Sequence, residues 1–170
     1  MPSLDEMIDR LRRGDPPIEV DLRLDFHSRL LGEIHEYWLS KCAGRTMPDR
    51  RNLDPTELGR LLPYVSLFDV SHTVDGIALF PRLAGQELER VMGSIHMRPL
   101  GETLAPDIVS RWCSMVALVY AWKAPVRTTG VVHHHEKHFI HSEVYIAPLA
   151  HDGLDMSMVL VGTVFTIPKS

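Results

Sequence analysis

Ten histidines occur in this 170-residue chain, and six of them fall between His133 and His151. In the run HHHEKHFIH, His133 and His135 would share one face of a strand, and a tight turn at Glu136-Lys137 would stand His135 near His138, with His141 further along. Imidazoles gathered in this way can ligate Zn²⁺, Ni²⁺ or Cu²⁺ if they are neutral, fixed in one tautomer and backed by hydrogen-bond partners. The same rings titrate near neutrality and would equally suit a pH sensor. A hairpin tip is wet, and surface histidines need hold no ion. No metal ligand is assigned, and His133, His135, His138 and His141 stand as candidates for a metal- or pH-responsive alternative.

Ser, His and Asp are abundant, yet no G-x-S-x-G elbow or H-E-x-x-H helix arranges them, so a small hydrolase-like enzyme has no motif behind it. Phosphate-loop and dinucleotide fingerprints do not occur either, and a non-enzymatic role is expected. Cys42 and Cys113 match no metal or redox spacing and suit a reducing, cytoplasmic setting. The net charge of −4 and pI near 6.2 argue against a sequence-independent grip on nucleic acid, and Arg50-Arg51, with Arg45 and Arg60, reads as a solvated face. The N-terminus is too charged for a secretory segment, and no run approaches the ~18 apolar residues of a spanning helix, so no membrane role is expected. Arg82, between Pro81 and Leu83, is the most informative single charge. On a strand it would bond a carboxylate or backbone carbonyls and lock a sheet to the helix that follows.

The elements that must position these residues are legible from periodicity. Leu4, Met7, Ile8 and Leu11 make one helical stripe, ended by Gly14 and Pro16-Pro17. So short a helix must dock on its own domain or on a second copy. A longer helix over Asp25 to Ala43 carries Phe26, Leu30, Leu31, Ile34, Trp38 and Cys42, with Gly44 as its stop. Asp54 and Pro55 open a short helix, with Glu57 expected to reach back to the cap, and Pro63 ends it. Tyr64 to Val70 and IALFPRLAG read as a hairpin around Asp75-Gly76, with Pro81 marking an edge strand or a bulge. One or two helical turns closed by Gly93 lead into an irregular linker around Pro99 and Gly101. A strong helix follows from Pro106 to Lys123, striped by Ile108, Val109, Trp112, Met115, Val116 and Val119. Three strands close the chain: PVRTTGVVHHH, HFIHSEVYIAP and MSMVLVGTVFTIP. The last is apolar on both faces, Met158, Leu160 and Val164 on one and Val159, Val161, Phe165 and Ile167 on the other, so it needs cover on both.

The residues Gly44-Arg45, Met47-Pro48, Asp54-Pro55, Leu62-Pro63 and Arg82-Leu83-Ala84-Gly85 resemble the short bacterial single-PAS family, in which a "GR.MP" loop is followed by "DP.EL..LLP", a strand and "RLAG". The resemblance implies an α+β fold: a PAS-like five-stranded antiparallel sheet, its last strand central, with N-terminal helices and a long helix crossing one face. It divides the chain into an N-terminal helical extension, 1–24, and a PAS-like domain, 25–170. Pro48, Asp54, Pro63, Arg82 and Gly85 are its structural positions. Met97-Arg98 stands where the family usually has a Gly-containing turn.

No cofactor is identified. Haem-binding PAS domains commonly take an axial His from the long helix, which here has none, and Cys113, between Trp112 and Ser114, does not match the flavin-photosensing motif. The function implied is a sensory or interaction module in bacterial signalling, working through a homodimer or a protein partner. A candidate small-molecule pocket between the long helix and the sheet would be lined by Phe68, Leu83, Trp112, Met115, Val116, Val144 and Leu160.

Overall fold

The computed structural model describes residues 2–134, 138–151 and 155–167. In chain order the elements are α1 (Leu4–Arg12), β1 (Ile18–Asp21), α2 (Arg29–Cys42), two 3-10 segments (Arg50–Asn52 and Pro55–Tyr64), β2 (Val65–Thr73) and β3 (Gly76–Leu83). Then come α3 (Gln86–Met92), α4 (Leu100–Thr103), α5 (Pro106–Trp122), β4 (Val126–His134), β5 (His138–Ala150) and β6 (Met156–Thr166). All strands join one antiparallel sheet in the order β1-β4-β5-β6-β2-β3.

The sheet has six strands rather than five. The added one lies inside the stretch expected to be a purely helical extension: Ile18 to Asp21 pair with Gly130 to Arg127 of β4. Gly130 eases this approach, since a Cβ there would stand a tight 3.3 Å from the Pro17 carbonyl oxygen.

Strand β6 lies between β5 and β2, and its alternation feeds two cores. Val159, Val161 and Phe165 face α5, together with Phe68, Val144 and Ile146. Met158 and Leu160 face α2, whose Leu31, Ile34 and Trp38 are buried against Tyr145, Ala147 and Leu149. Gly162 sits under α2, where a Cβ would be 2.9 Å from Leu31 Cδ2. The Trp38 indole N–H donates to the Pro148 carbonyl at 3.0 Å and fixes the helix along the sheet. The two faces are thus covered by different helices, α2 on one side and α5, with α1 laid on it, on the other.

The loop before the hairpin is built from caps. The Asp49 side chain accepts from Arg51 N–H while Asn52 accepts from Asp49 N–H, a reciprocal capping box. The Pro48 carbonyl accepts from Ala150 N–H at 2.9 Å and ties this loop to β5. Asp54 caps the next segment through Thr56 N–H and Oγ1, but Glu57 does not reach back to the cap: it meets Tyr37 and Lys41 of α2. That segment is 3-10 rather than α, turned at Gly59 (φ +53°) and containing Pro63.

Candidate functional site

On the face that α5 crosses, the sheet and helix do not close completely. A cavity of about 190 Å³ lies between them. Ile108, Arg111, Trp112 and Met115, at the 3- and 4-residue spacing of one helical stripe, form one wall. Residues 128–132 of β4, with Ser142 and Val144 of β5 and Phe165 of β6, form the floor. Met92 of α3 closes one end. At the mouth stand Asp15, Pro16 and Ile18, the connection from α1 into β1.

The cavity is mainly apolar with a few polar groups, the composition of a small-molecule site. The Ser142 hydroxyl donates to the Gly130 carbonyl at 3.3 Å, and the Thr128 hydroxyl finds only the Met115 sulfur at 3.5 Å. Thr163, paired with Val144 across β5 and β6, is fully buried on this face, and its hydroxyl has no partner among the described residues. Arg111 is half-buried at the mouth. Desolvation lowers its pKa while the nearby Asp107 and Asp15 carboxylates oppose the shift, and the guanidinium stays charged.

A shallower hollow on the α2 side borders a different polar group. Glu143 accepts from the backbone N–H groups of His27 and Ser28, both at 2.8 Å, and from Arg127 Nε at 2.6 Å; Arg127 Nη1 reaches Asp21 at 3.1 Å. Desolvation works to raise the Glu143 pKa, but the Arg127 and backbone donors outweigh it and leave the pKa below its ordinary value. This carboxylate pins the chain just ahead of α2, whose N-cap Ser28 makes no side-chain cap bond. These groups hold one another and bind the N-terminal segment to the sheet, which marks the hollow as structural.

Of the pocket residues expected from sequence, Trp112, Met115 and Val144 line the cavity. Phe68 and Val116 are buried in the same core behind it, Phe68 meeting Trp112 edge-to-face with ring centroids 5.7 Å apart. Leu83 and Leu160 are corrected: both belong to the α2 side. Leu160 follows from alternation with Met158. Leu83 follows from a register shift, in which Phe68 pairs with Pro81 but Leu67 with Leu83, so one residue is skipped and the strand end turns over. The skipped residue, Arg82, bonds Asp69 on β2 and lies 5.2 Å from the Phe80 ring. It therefore braces two strands, rather than sheet against helix.

Gly85 is held by a backbone approach. A Cβ there would lie 2.7 Å from the Val65 carbonyl oxygen, and its N–H donates to the Ser66 hydroxyl at 2.8 Å. His135 lies outside the described residues, as do the side chains of His133 and His138. His141 is exposed on β5, opposite Val131 and Thr166. No group of three or more metal-ligating side chains occurs among the described residues. Both thiols have pKa values raised by burial, and Cys113 donates to the Ile77 carbonyl at 3.3 Å. No helix among the described residues is long and apolar enough to cross a membrane.

Sequence reasoning missed the mouth of the cavity. Arg111 occupies the i+3 position from Ile108, and a stripe counted only in apolar residues passes over it. Asp15 to Ile18 read as the end of a helix rather than the start of a strand.

Comparison with curated proteins finds no match. A solved structure of an RNA-binding light-oxygen-voltage receptor resembles this chain at 16% identity with a TM-score of 0.40. The alignment covers 65% of this chain and 32% of that one, so the chain spans about a third of that receptor's length. The family model described as PAS domain matches residues 26–164, a span that begins before α2 and ends inside β6 and so takes in both covering helices and five of the six strands. This chain belongs to the PAS domain family, whose members serve as sensory and signalling modules.

Proposed function

We propose that this PAS domain is a non-enzymatic sensor that binds a small molecule in the α5 cavity and reports its occupancy through the α1–β1 segment. The observation that carries the reading is the double position of that segment. Its Asp15, Pro16 and Ile18 wall the cavity, while α1 packs on α5 with Leu11 buried. A ligand that fits only the docked arrangement shifts the segment toward it, and by no more than its differential affinity for the two arrangements. The surface presented by α1 then changes, and a second copy of the chain is the expected partner, in bacterial signalling.

The test is a thermal-shift screen of small molecules on the full chain, followed by hydrogen exchange with and without the best binder, and sedimentation of both samples. The reading expects a rise in Tm, slower exchange in α1 and β1, and a change in association state. A stabilising ligand that leaves α1 and β1 exchange unchanged overturns the reporting role, and a screen without any stabilising compound overturns the sensor.

A further inference from the structure

Arg111 is distinguished from the other arginines near the core by how its donors are used. Arg82 bonds Asp69, Arg90 bonds Glu87, and Arg127 bonds Glu143 and Asp21. Arg111 makes no hydrogen bond or close ion pair among the described residues; Asp107 and Asp15 act on it only through space. A half-buried guanidinium with five unspent N–H donors, on the wall of a cavity, is complementary to a planar group with two acceptor oxygens.

Size and lining narrow the rest of the ligand. The cavity holds about 190 Å³, and an apolar cavity of roughly 150 Å³ already accepts benzene. There is room for one ring and a substituent of a few atoms, or a short alkyl chain. Trp112, Met115, Val144 and Phe165 offer such a body apolar contact. Asp15 and Asp107, which also line the cavity, are solvent-exposed, so their repulsion of a ligand charge held on Arg111 is weakened by solvent.

We propose that the cavity takes a small monocarboxylate with an apolar body, its carboxylate on Arg111 and its ring or chain against Trp112, Met115, Val144 and Phe165. This rests on the reading of the cavity as a ligand site and adds the class of ligand.

The experiment compares benzoate and hexanoate with benzamide and hexanamide, which keep the shape and lose the charge, by thermal shift and calorimetry on the full chain. At least one acid should stabilise the protein and bind on the order of tenfold more tightly than its amide, and Arg111→Gln should abolish that preference while the amide binds as before. Amide and acid binding equally to the wild-type protein, or Arg111→Gln keeping the preference, would overturn the ligand class and leave the cavity reading standing. Binding by none of the four probes would overturn the class; the broader screen above then decides the cavity itself. The acid-against-amide comparison on the wild-type chain needs no variant, so a poorly folded Arg111→Gln leaves the test decisive.

Discussion

At single positions the most demanding residue is Gly85. An added methyl there meets two backbone carbonyl oxygens, of Val65 at 2.7 Å and Pro63 at 2.8 Å, and neither can swing aside as a side chain would. Gly85→Ala should lose about 2 kcal/mol or more, read as a lowered midpoint in urea with an unchanged slope. Glu143 is the second such position. Replacing it with Gln removes the charge that faces Arg127 and weakens the hold on the His27 and Ser28 N–H groups just before α2; breaking a pair of this kind costs about 3 kcal/mol, measurable by the same titration. At this scale sequence reading went as far as local chemistry allowed. It found that Gly85 matters through the RLAG run and that Pro81 marks an edge or a bulge. The skipped residue at Arg82 depends on pairing with β2, so neither the turn of Leu83 to the other face nor the bond to Asp69 could be counted along one strand.

Elements were legible in proportion to their length and periodicity. The long helix declared itself by its stripe and by Pro106 at its first position, and β6 by being apolar on both faces. The four residues of β1 did not: IEVD has one fully buried side chain, follows two prolines and gains its identity only by pairing with β4. The anchor of the loop before α2 was hidden for a related reason, since its carboxylate comes from a residue far along the chain. Helix α1 was expected to dock somewhere, and its place on α5 follows from the burial of Leu11. Leu11→Ala should cost about 2 kcal/mol or release α1 altogether, and limited proteolysis with N-terminal sequencing distinguishes the two by cleavage ahead of Ile18.

The whole molecule is one sheet with different cover on its two faces, and the charge network at Arg127 joins three of its strands and the loop before α2. Its two carboxylates, Asp21 and Glu143, have pKa values below their ordinary 3.8 and 4.5. Groups depressed in the folded state stabilise it above their unfolded pKa and lose that contribution as pH falls through the folded value. Stability should therefore decline below about pH 4.5, and Glu143→Gln should flatten that acid limb while lowering the plateau, as denaturation at a series of pH values will show. The central place of β6 was implied by the family resemblance and agrees with its two apolar faces, whereas the full sheet order was not legible, because β1 was read as part of a helical extension. The cavity was readable only in part, because an incompletely filled space is a property of several elements meeting and of no one of them.

The pairing of β1 with β4 also sets where this domain can be cut. A chain begun at residue 26, where the family match starts, would bare a row of unpaired amides and carbonyls along β4 and strip Arg127 of one of its two carboxylates. Such a fragment would offer an open template to any extended peptide, including another fragment, and would self-associate along that bared edge. The thermodynamic domain thus begins earlier than the recognisable one.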